Sequence, residues 1–280
     1  MKNVRFQIVS GLLAVTLSLV SCTKEEEVKN VSSDADQKLM TASAEIEFTN
    51  ELDFNSGIEA ASDNGSYSSK NSNNTATLAT CASVSVNNTT PGVFPKIFTI
   101  NFGGGCMING IHRSGILTIT LSDYLMNNGS VMTIERSNYY VNGKHIEGTV
   151  TYENETTNPD TPLWIRTVTN GQVTNLQGDT YTHHGTRAVK QMEGVSTPML
   201  ADNVYHVVSG THTINRPDGS TLTLAVEQTL IKKYACNYIS QGQLNLFGTY
   251  LDGVLDFGNN TCDNQATYTH SNGTVYPVTL

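Results

Sequence analysis

Turn-forming dipeptides constrain this chain more than any other feature of its sequence. After residue 80, Asn-Gly occurs at positions 109, 128, 142, 170 and 272, and Asp-Gly occurs at positions 218 and 252. Both dipeptides tolerate the positive φ angles of the type I′ turn, whose twist suits antiparallel strands. Short runs rich in Thr, Val, Ile and Tyr separate these dipeptides. The pattern predicts a succession of β-hairpins.

Two stretches show the hairpin pattern most clearly. In "SNYYVNGKHIEGTV", a strand reaches Val141, turns at Asn142-Gly143 and returns through Val150. In "LWIRTVTNGQVTNL", the predicted turn is Asn170-Gly171. Only "GTRAVKQMEG" (185–194) has room for a turn of helix. We therefore predict an all-β domain over residues 78–280, an antiparallel meander or sandwich of many hairpins, as one long sheet or as two packed layers.

One helix precedes this domain in the sequence. Asp34 is a suitable N-cap for a helix over residues 34–61. Apolar residues recur on one side, at Leu39, Met40, Ala42, Ala44, Ile46, Phe48 and Leu52. Three acids, Glu45, Glu47 and Glu51, fall largely on the other side. The spacing predicts an amphipathic helix packed on one sheet face, followed by a Ser/Asn-rich flexible linker over residues 62–77.

The N-terminus has the features of a bacterial lipoprotein signal peptide. Lys2 and Arg5 precede an apolar run from Ile8 to Val20, which is shorter than the roughly 20 residues a bilayer-spanning helix needs. The run ends in Leu-Val-Ser-Cys22, which matches a lipobox. We predict a signal peptide over residues 1–21, and a tether over residues 22–33 whose Cys22 carries palmitate-type acyl chains. An ordinary signal peptide with a chance cysteine is the alternative.

Residues after Cys22 bear on location and partners. Thr23 is not the Asp of the inner-membrane retention signal, and the acidic run Glu25–Glu27 resembles an export signal for surface lipoproteins. We expect an outer-membrane, cell-surface location, with a periplasm-facing domain as the alternative. Removal of residues 1–21 changes the formal charge from −9 to −11, since Lys2 and Arg5 are lost without any acid. Nucleic acid is therefore not an expected partner.

Four further cysteines predict disulfides. An exported chain folds in an oxidising compartment, which favours pairing of Cys81, Cys106, Cys236 and Cys262. Cys81 precedes Cys106 by 25 positions and Cys236 precedes Cys262 by 26, and a Phe-Gly corner precedes the second cysteine of each pair. We predict two disulfide-closed units, 81–106 and 236–262, that form a weak internal repeat. Crossed pairing between the two units is the alternative.

The glycines Gly103–Gly105 precede Cys106. A phosphate-binding loop would need a Gly-Lys-Ser/Thr ending and a following helix, and neither is present in the sequence. A Cys106–His112 nucleophile pair is a minor alternative, since the matching Cys262 has no such histidine. We interpret the glycines as a tight strand exit that brings Cys106 within disulfide range.

Four motifs together resemble a family of uncharacterised lipoproteins common in Bacteroidota. They are "INFGGGC..NGIHRSG", "NYYVNGKHIEGTV", "LIKKYACNYISQGQLNL" and "LDFGNNTCDNQATY", within residues 80–280. Asn260 stands where the family usually has glycine, and Asn237-Tyr238 stand where it has Arg-Trp. The resemblance implies the envelope location, the β fold and the disulfides. It gives no information about a catalytic activity.

Candidate catalytic and metal-binding residues are scattered. Residues 206 and 212 are both histidine and share a face only if the strand is unbroken, but Gly210 between them suggests a bulge. His183-His184 is a second histidine pair that could approach them. Acids after residue 80 are isolated, and no Gly-x-Ser-x-Gly motif is present. We therefore predict no enzyme, no metal and no cofactor, with an envelope hydrolase as a minor alternative.

Five aromatic residues are the better candidates for a functional site, although packing between strands is the main role expected of them. They lie in adjacent predicted hairpins: Tyr139, Tyr140, Tyr152, Trp164 and Tyr181. On an exposed face they would stack on sugar rings or anchor a protein, and the alternative is cross-strand packing. The predicted function is a lipid-anchored, non-catalytic envelope protein with a binding or structural role. Its expected partners are the membrane, through the lipid on Cys22, and a glycan or an envelope protein.

Overall fold

The chain is described by a computed structural model that covers residues 34–67, 81–195, 197, 200–249 and 251–280. All of these residues belong to one compact unit, Val31–Leu280. The predicted signal peptide, the tether with Cys22, and residues 68–77 of the predicted linker lie outside the described residues.

The described residues form one long helix and one large sheet. Helix α1 runs over Asp34–Asp63, and a short 3-10 helix covers Leu200–Asp202. The strands are β1 (Ser83–Val86), β2 (Lys96–Asn101), β3 (Cys106–Ile108), β4 (Ile111–Leu121), β5 (Val131–Val141), β6 (Lys144–Asn154), β7 (Leu163–Thr174), β8 (Thr180–Glu193), β9 (Val204–Asn215), β10 (Thr221–Lys233), β11 (Gln241–Gly248), β12 (Asp252–Asn259), β13 (Gln265–His270) and β14 (Val275–Thr279).

The sheet is a single antiparallel meander. Strands follow one another in chain order from β1 to β14, except that β2 pairs directly with β4, and β3 pairs with β4 beside that path. β1 and β14 are the two ends of this order. The prediction of an all-β meander with one N-terminal helix is confirmed, and the one-sheet version is the one observed.

Most of the predicted turns are present. Asn142 (φ 48°) and Gly143 (φ 80°) form the turn between β5 and β6. The dipeptides beginning at 109, 128, 218 and 272 also lie between strands. The turn predicted at Asn170-Gly171 is wrong, because β7 continues through it with a bulge. The turn predicted at Asp252-Gly253 is also wrong, because these residues begin β12.

Glycines in mid-strand mark where the sheet bends. They are Gly115 in β4, Gly148 in β6, Gly171 in β7, Gly185 in β8, Gly210 in β9 and Gly242 in β11. The strand register shifts beside several of them, as at Gly115 and Gly148. A Cβ on Gly115 would lie 1.9 Å from the carbonyl oxygen of Asn138, so only glycine fits there. Bulges of this kind increase local twist and curvature.

The curved sheet encloses the helix. No residue of α1 from Leu39 to Ser62 is exposed. Side chains of the helix contact strands across the sheet, from Arg113 on β4 to Lys232 on β10. The prediction that the helix packs with one apolar face on the sheet is therefore too simple, because the acidic side of the helix is covered as well. The stretch 185–194, in which the sequence left room for a turn of helix, belongs to β8 as far as Glu193.

The centre of the core is aromatic. The ring of Phe54 stacks on Tyr152 at 4.3 Å between ring centroids and meets Trp164 edge-on at 5.4 Å. Tyr205 lies 6.0 Å away on another side. These contacts join the helix to β6, β7 and β9 and hold it in register with the sheet.

Candidate functional site

The five predicted aromatic site residues do not form an exposed surface. Trp164, Tyr139, Tyr152 and Tyr181 are all buried, and the Trp164 side chain is 0% exposed. Tyr140 is the exposed one, and its ring stacks on His145 at 4.7 Å. The expectation of an aromatic binding face is therefore wrong for four of these residues, because their strand positions point inward to the helix.

The buried tyrosines instead fix the helix through their hydroxyl groups. Tyr139 donates a hydrogen bond to Asp53 (2.7 Å) and accepts one from Nε of Arg113 (2.8 Å). Tyr152 donates to the carbonyl oxygen of Asn50 at 3.0 Å. Burial raises the pKa of both phenols, so they remain protonated donors. Their role is structural.

Ion pairs line the interface between helix and sheet. Asp53 pairs with Arg113 at 3.2 Å and with Arg136 at 2.8 Å. Glu47 pairs with both Arg166 and Arg187 at 2.8 Å. The sequence predicts Glu47 and Glu51 on the side of the helix opposite its apolar residues, and that side is covered too, because strands of the same chain supply cations for these acids. The position of Arg113 beside the Cys106 corner predicts that it pairs with loop carbonyl groups or with an acid, and the structure pairs it with the acid Asp53.

The charge of Glu47 depends on these cations. Burial by itself would raise the pKa of this carboxyl group, but the attraction of Arg166 and Arg187 outweighs burial and lowers it to about 2. Glu47 is therefore ionised at neutral pH. Glu51 forms the adjacent pair with Lys232 at 2.8 Å, and Glu45 pairs with Lys144.

Both predicted disulfides are present with local pairing. Cys81 bonds Cys106 with their Cα atoms 5.4 Å apart, and Cys236 bonds Cys262 with their Cα atoms 5.1 Å apart. Cys106 begins β3, and Cys236 lies in the loop between β10 and β11. All four of these cysteines are in disulfides, so Cys106 has no free thiol and the alternative of a Cys106–His112 nucleophile pair is excluded.

The two disulfide units meet at one groove. It has a volume of about 870 Å³ and its floor is the half-buried side of α1, at Phe48, Leu52, Asn55 and Glu59. Residues Met107–Ile111, which follow Cys106, line one side, and residues Tyr234–Asn237, which include Cys236, line the other. Volumes of about 300–1,000 Å³ are usual for ligand sites. Each side of the groove therefore contains or directly follows one cysteine of a different disulfide.

Glu59 is the distinctive polar group of this groove. Burial raises its pKa to about 7, the attraction of Arg113 offsets part of that effect, and Asp63 adds to it. Within the described residues, Glu59 has no hydrogen-bond or ion-pair partner. The nearby cations form their direct ion pairs with other acids: Arg113 shares Asp53 with Arg136, and Lys232 pairs with Glu51. Glu59 is therefore an acid of the groove that forms no direct ion pair within the described residues.

A smaller cavity of about 60 Å³ adjoins the groove, between α1 and the C-terminal half of the sheet. Its walls are largely apolar and include Met40, Val189, Val207, Leu224, Leu244, Leu255 and Phe257. Phe48 and Asn237 line this cavity, the groove and a third pocket of about 280 Å³ beside Lys144. These two residues mark the place where the three spaces meet.

The histidines do not converge on a metal site. His183 and His212 lie side by side under the helix, with ring centroids 5.1 Å apart. Burial lowers the pKa of both rings, that of His183 to about 3, so they are neutral at pH 7. Near Gly210, where the sequence suggests a bulge or a turn, β9 has an irregular stretch between Val207 and Thr211, and this places His206 on the opposite face from His212. No metal-type cluster of His, Cys, Asp or Glu occurs in the residues described.

Sequence reasoning missed the residues of the groove. Phe48 and Leu52 have the pattern of ordinary core positions, and the motif that contains Tyr234 and Asn237 indicates no binding role for them. The available signal was the position beside a cysteine, since Met107 directly follows Cys106 and Asn237 directly follows Cys236. Met107, with 59% of its surface exposed, is the most exposed apolar side chain of the groove.

Comparison with protein-family models, curated proteins and solved structures finds no match to this chain. The Bacteroidota lipoprotein resemblance therefore remains a prediction from the motifs. None of the described helices is both long and apolar enough to span a bilayer.

Proposed function

We propose that this chain is a non-catalytic binding protein of the bacterial cell envelope. Lipid on Cys22 anchors it to the outer membrane, with the domain at the cell surface, and the groove along α1 receives a ligand. The anchor and the location rest on the lipobox and the acidic tether of the sequence. The binding role rests on the groove.

The groove is the observation that carries this proposal. Its floor is a rigid helix, and disulfides hold the loops on its two sides. A site that is formed before the ligand arrives avoids the entropic cost of ordering loops on binding. Phe48, Leu52 and Met107 supply apolar surface, while Asn55, Glu59 and Tyr234 supply polar contacts. That combination is typical of small-molecule sites.

The arrangement of charges supports binding over catalysis. The helix acids Glu47, Glu51 and Asp53 are each neutralised by a strand cation, and this gives them a structural role. With four of the five candidate aromatics buried, support for glycan or protein binding through an exposed aromatic face is correspondingly weak. The groove is the better-supported place for a ligand of either kind.

Native mass spectrometry of the protein purified from its own membranes tests this role. We expect a bound mass in the wild type that disappears when Asn237→Trp fills the meeting point of the three spaces. Thr182→Trp is the matched control, because Thr182 is exposed on β8 and does not line the groove. A wild-type protein with no bound mass, or a mass that Asn237→Trp leaves in place, would contradict the proposal and favour a structural role.

The anchor is tested separately from the groove. Cys22→Ser should abolish incorporation of a labelled palmitate analogue and release the protein from the membrane fraction. Protease treatment of intact cells should degrade the wild-type domain if it faces outward. Protection from protease until the outer membrane is permeabilised would indicate the periplasm-facing alternative.

A further inference from the structure

Phe48 stands between two very different spaces. On one side is the open groove of about 870 Å³, and on the other is the apolar cavity of about 60 Å³. Phe48 is half-buried and lines both. Glu51, Lys232 and Asn237 line both spaces too, so Phe48 is the one apolar side chain that the groove and the cavity share among the described residues. A ligand that lies in the groove would pass this side chain to extend into the cavity.

The cavity suits hydrocarbon. Its volume exceeds the roughly 10–15 Å³ that one buried water needs, and apolar cavities tend to stay dry and to bind apolar molecules. The charged groups on its wall satisfy one another, Glu47 with Arg166 and Glu51 with Lys232. A polar ligand group would find few free partners there, whereas methylene groups would gain contact with Leu224, Leu244 and Phe257.

The groove suits a cationic head group. Glu59 is an acid without a partner in the described part of the chain, while Arg113 and Lys232 are already paired. An anionic head group would meet the carboxylate of Glu59, whereas a cationic head group would form the direct ion pair that Glu59 lacks. Asn55, Asn109 and Tyr234 add hydrogen-bonding groups along the same groove.

The distance between Phe48 and Glu59 along the helix determines how long an alkyl chain must be to reach from one to the other. Eleven residues separate Phe48 from Glu59, which corresponds to about 16 Å along a helix at 1.5 Å per residue. With carbon–carbon bonds of about 1.5 Å, an extended alkyl chain of about 12–14 carbons spans that distance. Leu52 from the floor and Ile108 and Ile111 from the β3–β4 side supply apolar surface to the groove.

We propose that the ligand is a single-chain amphiphile with a cationic head beside Glu59 and an alkyl chain that runs along α1 and passes Phe48 into the inner cavity. This inference rests on the proposed function, because it names the class of ligand for the same groove.

Titration of the delipidated protein with alkyltrimethylammonium ions of 8 to 16 carbons, below their micelle concentrations and at pH 8, tests the inference. Affinity should rise about fourfold per methylene while the chain gains apolar contact. Phe48→Trp should leave the gain from 8 to 12 carbons intact and abolish the gain from 12 to 16. Phe247→Trp, at an exposed position on β11 remote from the groove, is the control and should bind as the wild type does.

The preference for a cationic head group is tested with three amphiphiles that have the same chain length and different head groups. We expect the wild type to prefer tetradecyltrimethylammonium to tetradecyl maltoside by about tenfold or more, and to bind tetradecanoate least. Glu59→Gln should remove the preference for the cation. Equal preference in wild type and Glu59→Gln, or a chain-length dependence that Phe48→Trp leaves unchanged, would overturn the inference.

The failures of the two proposals are distinguishable. If no amphiphile binds but native mass spectrometry shows a bound mass that Asn237→Trp removes, the ligand class is wrong and the groove remains the binding site. If amphiphiles bind equally well to wild type and Asn237→Trp, the groove is not their site and the inference fails.

Discussion

Asp53 shows how much of this fold depends on single buried charges. Its carboxylate is 0% exposed and neutralises Arg113 and Arg136, whose side chains are almost completely buried. Asp53→Asn would leave two buried guanidinium groups without a counter-ion, a change that costs about 3–5 kcal/mol when one partner of a buried pair is removed. We expect urea unfolding of Asp53→Asn to show a free energy of unfolding that is lower than that of the wild type by an amount in this range.

A surface pair provides the control for Asp53. Arg216 and Asp218 lie 3.2 Å apart, and Asp218 is half exposed. Asp218→Asn should leave the unfolding midpoint essentially unchanged, because exposed ion pairs contribute little. If Asp53→Asn is as mild as Asp218→Asn, the interface between helix and sheet does not depend on its buried charges.

Glu47 predicts how stability responds to acid. Its pKa of about 2 in the folded protein lies below the ordinary value of 4.5. The ion pairs of Glu47 therefore stabilise the fold fully above pH 4.5, and this contribution is lost as pH falls from 4.5 toward 2. In urea unfolding series from pH 2 to 7, Glu47→Gln should lower stability at pH 7 and flatten the fall below pH 4.5. A variant with the same slope as the wild type would contradict this assignment.

At the residue scale, the sequence shows the chemical type of each side chain but not which part of the fold that side chain faces. The alternation around Trp164 shows that one face is apolar, yet it does not show that this face meets a helix. Glu47 has the side-chain chemistry of a solvated helix residue, and its burial depends on Arg166 and Arg187, more than a hundred positions away. Such long-range neutralisation leaves no local trace in the sequence.

At the scale of elements, the mid-strand glycines account for the bend of the sheet. Gly115→Ala would place a methyl group 1.9 Å from the carbonyl oxygen of Asn138, at a residue whose φ is +86°. We expect a loss of about 2 kcal/mol or more in the free energy of unfolding. Gly104→Ala is the matched control, since no atom lies within 4 Å of the added Cβ.

Equal stability of the two alanine variants would show that the bulge tolerates a side chain. The mid-strand glycines would then not explain the curvature of the sheet. A crystal structure of Gly115→Ala, if it folds, should show β4 and β5 shifted apart beside Asn138.

Elements were predictable where a local signal decides them. The helix predicted over 34–61 is observed over Asp34–Asp63, and the Asn142-Gly143 turn is where the pattern placed it. Asn170-Gly171 failed because an Asn with positive φ also suits a bulge. The dipeptide reports a backbone conformation, and the strands on either side decide whether the chain reverses.

At the scale of the whole molecule, the disulfides hold the two sides of the groove. Each closes a loop of similar length, with a sequence separation of 25 for Cys81–Cys106 and 26 for Cys236–Cys262. The chain-entropy model assigns about 3 kcal/mol to a loop of this size. Replacing both cysteines of either pair by serine should lower the free energy of unfolding by about that amount, as measured by urea unfolding.

The binding assay separates this structural effect from a local one. Either double serine variant should also weaken tetradecyltrimethylammonium binding at a temperature where it remains folded, because one side of the groove is released. Full affinity in both folded variants would show that the disulfides stabilise the fold without shaping the groove.

The global arrangement was the least predictable part of the molecule. The repeat of two cysteine units is visible in the sequence, and local pairing follows from their spacing. That these units face one groove depends on how far the sheet curves between β4 and β10, which is the sum of many small bends. No single residue encodes that sum.

The accessibility of thiols along α1 tests the central claim most directly. That claim is that Leu52 lies on the floor of an open ligand groove while Ile46 is sealed against the sheet. In native protein, a maleimide should label Leu52→Cys readily and Ile46→Cys hardly at all, and tetradecyltrimethylammonium should slow the labelling of Leu52→Cys. Equal labelling rates at the two positions, or a Leu52→Cys rate that the amphiphile leaves unchanged, would contradict the account.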